Sequence, residues 1–109
     1  GGSITLNGGT GDISVGDVAS VATGGTSGSV TINTGGNVTT GDIETRTTIG
    51  TANNVSVTAG GNATLGDVST GANTGTTGNI TITTGGDLIA DQLNSAGNSS
   101  QRCRALMQF

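Results

Sequence analysis

Apolar residues recur along this chain in short alternations, and the alternations themselves recur. Ile4-Thr5-Leu6-Asn7 sets apolar and polar positions two apart, the period of a strand with one buried face. The pattern returns in Val30-Thr31-Ile32-Asn33, in Val55-Ser56-Val57-Thr58 and in Ile80-Thr81-Ile82-Thr83. Val30 to Val55 and Val55 to Ile80 are steps of 25 residues, and Ile4 to Val30 is a step of 26. A second phrase follows in register: Gly16-Asp17-Val18, Gly41-Asp42-Ile43, Gly66-Asp67-Val68 and a degenerate Asp91-Gln92-Leu93. Self-similarity at a fixed period of this length is the mark of a repeat architecture.

The segments are short, rich in Val, Ile and Thr, and bounded by Gly and Asp, which makes them strands rather than helices. One such unit cannot bury its own apolar face. Stacked units can, because equivalent residues then form columns about 4.8 Å apart. The predicted inward columns are Ile4/Val30/Val55/Ile80, Leu6/Ile32/Val57/Ile82, Ile13/Val38/Ala63/Leu88 and Val18/Ile43/Val68/Leu93, apolar in every rung. The expected fold is therefore all-β: a parallel β-helix, or β-solenoid, of about four rungs of 25 residues. The rungs fall at about 3–27, 28–52, 53–77 and 78–94, with two or three short strands each. A right-handed sense is preferred, because parallel crossovers are overwhelmingly right-handed. The additional residue of the first step is expected in the corner Gly8-Gly9-Thr10-Gly11-Asp12. Segments 19–28, 44–53 and 69–78 read as low-complexity connections returning each rung to the next. Residues 95–109 depart from the repeat and read as an atypical C-terminal tail or cap, with Cys103, Met107 and Phe109.

Composition narrows the function classes. The 109 residues carry 22 glycines, but these fall at fixed repeat positions, which argues against disorder. Three arginines stand against seven acids, for a net charge of −4, and two of the arginines, Arg102 and Arg104, lie in the tail. With no basic patch and one aromatic residue, nucleic-acid binding is not expected. One cysteine excludes an internal disulfide framework. No apolar run has the length of a membrane span. The chain opens in mid-pattern at Gly1-Gly2-Ser3 without a signal peptide, so a longer protein is expected to continue beyond both ends.

The phrases Gly28-Ser-Val-Thr-Ile-Asn-Thr-Gly-Gly-Asn-Val-Thr-Thr-Gly-Asp-Ile43 and Gly78-Asn-Ile-Thr-Ile-Thr-Thr-Gly-Gly-Asp-Leu88 resemble the repeats of filamentous-haemagglutinin-like exoproteins, the large passengers of two-partner secretion, in their cyanobacterial form. The resemblance covers about residues 3–94. It implies a right-handed β-helical stalk, secreted through an outer-membrane transporter partner to the outer cell surface. There it would serve adhesion to a surface, a host-cell receptor or a carbohydrate. The secretion domain that opens such proteins has no counterpart here, and residues 95–109 depart from the pattern.

Three sets of polar residues are candidates for binding. Asp17, Asp42 and Asp67 are expected to stack at one corner, where carboxylates and carbonyls are suitable calcium ligands. The structural alternative, which is preferred, is a Gly-Asp turn whose carboxylate bonds its own backbone and faces water. Gln92 breaks that column in the fourth rung. Asp12, Asn37, Asn62 and Asp87 form another column, expected to be a ladder of side-chain amides bonded rung to rung. The third set is an outward grid: Thr5, Thr31, Ser56 and Thr81 in one column, and Asn7, Asn33, Thr58 and Thr83 in the next. A regular grid of this kind suits ice or carbohydrate, although Thr also simply favours exposed strands. Catalysis finds no foothold. There is no His, Cys103 has no base beside it, and identical rungs offer no pair of carboxylates in differing environments. No catalytic residue, cofactor or metal site is assigned. The Asn-x-Ser/Thr triplets, such as Asn37-Val-Thr39 and Asn79-Ile-Thr81, follow from the repeat and are not taken as glycosylation signals.

Overall fold

A computed structural model describes residues 2–96 and 102–107, with side chains described for residues 2–91. Its elements in chain order are β1 (Ile4–Asn7), β2 (Ile13–Ser14), β3 (Val18–Thr26), β4 (Val30–Thr34), β5 (Val38–Thr39), β6 (Ile43–Thr51), β7 (Val55–Ala59), β8 (Ala63–Thr76), β9 (Asn79–Thr84), β10 (Leu88–Ala96) and β11 (Arg102–Met107). Every strand pair is parallel. One sheet stacks β1-β4-β7-β9-β11, and the other stacks β2 and β3 through β5 and β6 onto β8, with β10 on the far side of β8. The chain alternates between the two sheets once per rung, which makes it a parallel β-helix. Within the region expected as a tail, β11 extends the first sheet, with Cys103 opposite Ile80 and Ala105 opposite Ile82. Residues 97–101, 108 and 109, which include Phe109, lie outside the described residues.

The columns read from the sequence are the columns of the fold. Ile4 pairs with Val30, Val30 with Val55 and Val55 with Ile80. Ile13, Val38, Ala63 and Leu88 align, as do Val18, Ile43, Val68 and Leu93. The 26-residue step holds from Ile4 to Asn7 and becomes 25 at Ile13, so the additional residue lies in the corner 8–12, as expected. Burial follows position along the axis. Val30, Ile32, Ile43, Val55, Val57, Val68, Ile80 and Ile82 are wholly enclosed, whereas Ile4, Leu6, Leu88 and Ala90 are half-buried against that core. A side chain in a middle rung is roofed and floored by its equivalents; Ile4 and Leu6 have a described equivalent on one side.

The return segments differ from expectation. They are not connections but parts of long strands, nine residues in β3 and β6 and fourteen in β8. Their inward positions are held by hydroxyls and small side chains rather than by Val, Ile and Leu. Ser20, Thr45 and Thr70 form one buried column. Thr47 and Ala72 belong to the next, and Ser27, Ala52 and Thr77 are buried near its end. Each buried hydroxyl needs a partner, since an unpaired one costs roughly 1–3 kcal/mol. Thr45 Oγ1 donates to the carbonyl of Asn53 at 2.6 Å, and Thr70 Oγ1 to that of Gly78 at 2.9 Å. Ser20 Oγ accepts from the N–H of Gly28 at 3.0 Å and donates to the carbonyl of Gly2 at 2.9 Å. The Ser20–Gly28, Thr45–Asn53 and Thr70–Gly78 bonds each span eight residues and close the neck of one loop. Beyond the neck, Gly25, Gly50 and Gly75 stack at the tip with φ of 85°, 128° and 134°. A Cβ on Gly50 or Gly75 would strike the carbonyl of the glycine one rung earlier.

Candidate functional site

The two Asx columns are built by backbone, not by side-chain pairing. Asn37 N–H donates to Asp12 Oδ1 at 2.8 Å, Asn62 N–H to Asn37 Oδ1 at 2.8 Å, and Asp87 N–H to Asn62 Oδ1 at 2.8 Å. The expected amide-to-amide ladder is therefore corrected: each side-chain oxygen takes the backbone N–H of its equivalent in the next rung. The reason is local. At the corner the chain leaves the strand ladder, so that N–H loses its carbonyl partner and the stacked Asx oxygen replaces it.

The Asp17/Asp42/Asp67 corner uses the same device. Asp42 N–H reaches Asp17 Oδ1 at 2.9 Å, and Asp67 N–H reaches Asp42 Oδ1 at 3.0 Å. The carboxylates bond the next rung rather than their own turn, which corrects the expected Gly-Asp turn. Gln92 stands opposite Asp67 in the register. These geometries explain the glycine before each Asx from the second rung onward. A Cβ on Gly41 or Gly66 would collide with Oδ1 of Asp17 or Asp42, and one on Gly61 or Gly86 with Oδ1 of Asn37 or Asn62. Gly-Asp and Gly-Asn are thus one motif, in which the glycine makes room for the preceding rung's oxygen. One oxygen of Asp17 and of Asp42 is committed to the scaffold. Among the described residues no three His, Cys, Asp or Glu side chains converge as a metal cluster.

The outward grid lies on the first sheet. Thr5, Thr31, Ser56 and Thr81 align, and so do Asn7, Asn33, Thr58 and Thr83. None of the eight is buried: Thr5, Asn7, Asn33 and Thr58 are exposed, and Thr31, Ser56, Thr81 and Thr83 half-buried. All eight are uncharged, and the acids Asp12, Asp17, Asp42, Asp67 and Asp87 sit at corners away from them. The inward hydroxyls of Ser20, Thr45, Thr47 and Thr70 are all bonded, Thr47 Oγ1 donating to the carbonyls of Gly25 and Ile49 at 3.2 Å each.

The second sheet's outer face was not singled out by pattern. It carries exposed Val21, and Arg46 pairs with Glu44 at 3.4 Å; exposed Ile49 lies near the loop tip, beside Gly50. Val21 stands opposite Arg46, whereas the third rung has Gly71 there. For Val21 the sequence signal was available, since it is an apolar residue on the outward parity of its strand; Ile49 has the inward parity of Thr45 and Thr47 and gave no such signal. No helix among the described residues is long and apolar enough to cross a membrane. No family model matches this chain, and no curated protein or solved structure is similar to it.

Proposed function

We propose that this chain is a structural, non-catalytic segment of a β-helical stalk, part of a secreted, cell-surface exoprotein of the adhesin-like, two-partner-secretion type. It acts as a rigid spacer that carries a binding region away from the cell. The observation that supports this reading is the commitment of polar groups to joining rungs: six Asx-to-backbone bonds run along the axis at a spacing of 25 residues, the sixth from Asn79 N–H to Asn54 Oδ1. Side chains spent in this way lengthen and stiffen a rod; they do not gather into a cleft.

The reading is tested in the full-length protein by replacing the four rungs with a length-matched β-solenoid of unrelated surface. A spacer role predicts that surface display and adhesion persist, and that deleting the rungs weakens adhesion by shortening the reach. Loss of adhesion with the matched replacement, while display is retained, would refute it.

A second reading is favoured by the uncharged grid of Thr5, Asn7, Thr31, Asn33, Ser56, Thr58, Thr81 and Thr83. This face would bind a neutral, periodic ligand, ice or carbohydrate. Thermal hysteresis or retention on an insoluble polysaccharide, abolished by Thr31→Lys with Thr58→Lys, would support it. Absence of both activities removes it.

A further inference from the structure

Each of the first three rungs has two chambers. The first is apolar and close-packed, enclosed by Val30, Ile32, Val38 and Ile43 in the second rung and by Val55, Val57, Ala63, Leu65 and Val68 in the third. The second lies beyond the neck formed by Ser20–Gly28, Thr45–Asn53 and Thr70–Gly78. Its buried contents are small: Thr47, Ala52, Ala72, Ser27 and Thr77. Burial of apolar area scales with side-chain size, so the second chamber contributes far less hydrophobic stabilisation per residue than the first. Its backbone remains bonded along the axis, with Ser27 N–H to Thr51 O at 2.9 Å and Ala52 N–H to Thr76 O at 2.8 Å. The lobes of successive rungs are therefore zipped to one another while being weakly held to the core. Few buried apolar contacts together with a contiguous ladder are the features of a unit that opens below the global unfolding free energy.

We propose that residues 21–27, 46–52 and 71–77 form a strap whose rung-to-rung ladder parts cooperatively along the solenoid while the apolar chamber stays closed, with the hydroxyls of Ser20, Thr45 and Thr70 as its latch. The latch lies at the boundary, where the long strands leave the core. The i to i+8 pairing is repeated in three rungs, and in each it bridges the outgoing and returning chain. Opening exposes the enclosed Thr47, Ala52 and Ala72 without parting the columns that set the rod's length. A stalk built in this way yields on one side and remains intact.

The experiment is residue-resolved amide exchange on the intact chain, as a function of urea below the unfolding transition. Ser27 and Ala52 amides report the strap. Val30 and Val38 amides, bonded to Asn54 O at 3.0 Å and Asn62 O at 2.9 Å, report the core. The strap amides are expected to exchange faster than the core amides, and with a smaller urea dependence. Thr45→Val keeps the shape and removes the latch hydroxyl, and is expected to accelerate strap exchange by roughly five- to tenfold, the loss of one net hydrogen bond. The Val30 and Val38 amides should not change, and Thr58→Val, on the outer grid, should alter neither set. Equal rates and equal urea dependence for strap and core in the unsubstituted chain would overturn the proposal, even if Thr45→Val does not fold. So would a Thr45→Val variant that leaves strap exchange unchanged or accelerates both sets alike.

Discussion

Replacing Asn62 separates two kinds of ladder that look identical from the sequence. If Asx side chains were bonded amide to amide, each Asn would need both its oxygen and its NH2. In the structure only Oδ1 is used, accepting Asp87 N–H at 2.8 Å, while Asn62 donates to Asn37 through its own backbone. Asn62→Ala removes one hydrogen bond at an exposed corner, a loss of about 1 kcal/mol. For a chain of this size that lowers Tm by roughly 4–8 °C. Asn62→Asp keeps an acceptor in place and makes it ionic, which strengthens such bonds. The new charge lies one rung from Asp87, and at ~4.8 Å in water the repulsion is about 0.9 kcal/mol, less in salt. Gain and loss nearly cancel, so Asn62→Asp should stay within about 0.5 kcal/mol of the parent, and improve slightly as salt rises. Asp12 already performs this role for Asn37 at 2.8 Å. The assay is urea unfolding followed by far-ultraviolet circular dichroism, at low and at moderate salt. An Asn62→Asp variant as destabilised as Asn62→Ala in moderate salt would rule out an acceptor-only role for Asn62 Oδ1.

Other substitutions test the core, the tip and the acidic corner. Val57→Ala, at a wholly enclosed site, should cost about 2 kcal/mol in urea unfolding, whereas Val21→Ala, on the outer face, should change stability by less than about 0.5 kcal/mol. Gly50→Ala must adopt a φ of 128° against the carbonyl of Gly25 and should cost roughly 1–3 kcal/mol or more, read as a fall in Tm. Gly24→Ala, with nothing within 4 Å of the added Cβ, should be neutral or raise stability by up to ~1 kcal/mol. Calcium in millimolar amounts, followed by chelation, should leave Tm unchanged; a reversible rise that Asp42→Asn abolishes would mark the Asp corner as a cation site.

The apolar half of the fold was legible because its signal is redundant. Ile4, Val30, Val55 and Ile80 each fall on strand parity, and each repeats at one period, so local alternation and long-range register agree. Even the single-residue irregularity could be placed, since Asn7 still aligns with Asn33 while Ile13 aligns with Val38. The return strands were not legible for the converse reason. In Thr45-Arg46-Thr47-Thr48 the inward and outward residues belong to the same polar class, and alternation carries no contrast. Thr pointing inward with a bonded hydroxyl and Thr pointing outward into water are written with the same letter. What distinguishes them is a carbonyl eight residues away, Asn53 for Thr45 and Gly78 for Thr70, and a pattern of period two does not contain that distance.

The polar corners reveal a second limit, and they bear on what kind of site this scaffold can hold. Gly41-Asp42 and Gly66-Asp67 read equally well as turns, as cation ligands or as ladder elements, because all three require a small residue beside a carboxylate. The choice is made by what occupies the space above each glycine: Oδ1 of the preceding Asp fills it so closely that no Cβ fits. An oxygen in that position is already accepting a backbone N–H from the next rung, so one of the two carboxylate oxygens of Asp17 and of Asp42 serves the stack. The bonds that join rungs thus occupy the repeated corners, and the positions at which one rung can differ from the next lie elsewhere. On the first sheet that means the grid of Thr5, Asn33 and their equivalents. On the second it means Val21 and Arg46, which stand opposite each other where the third rung has Gly71.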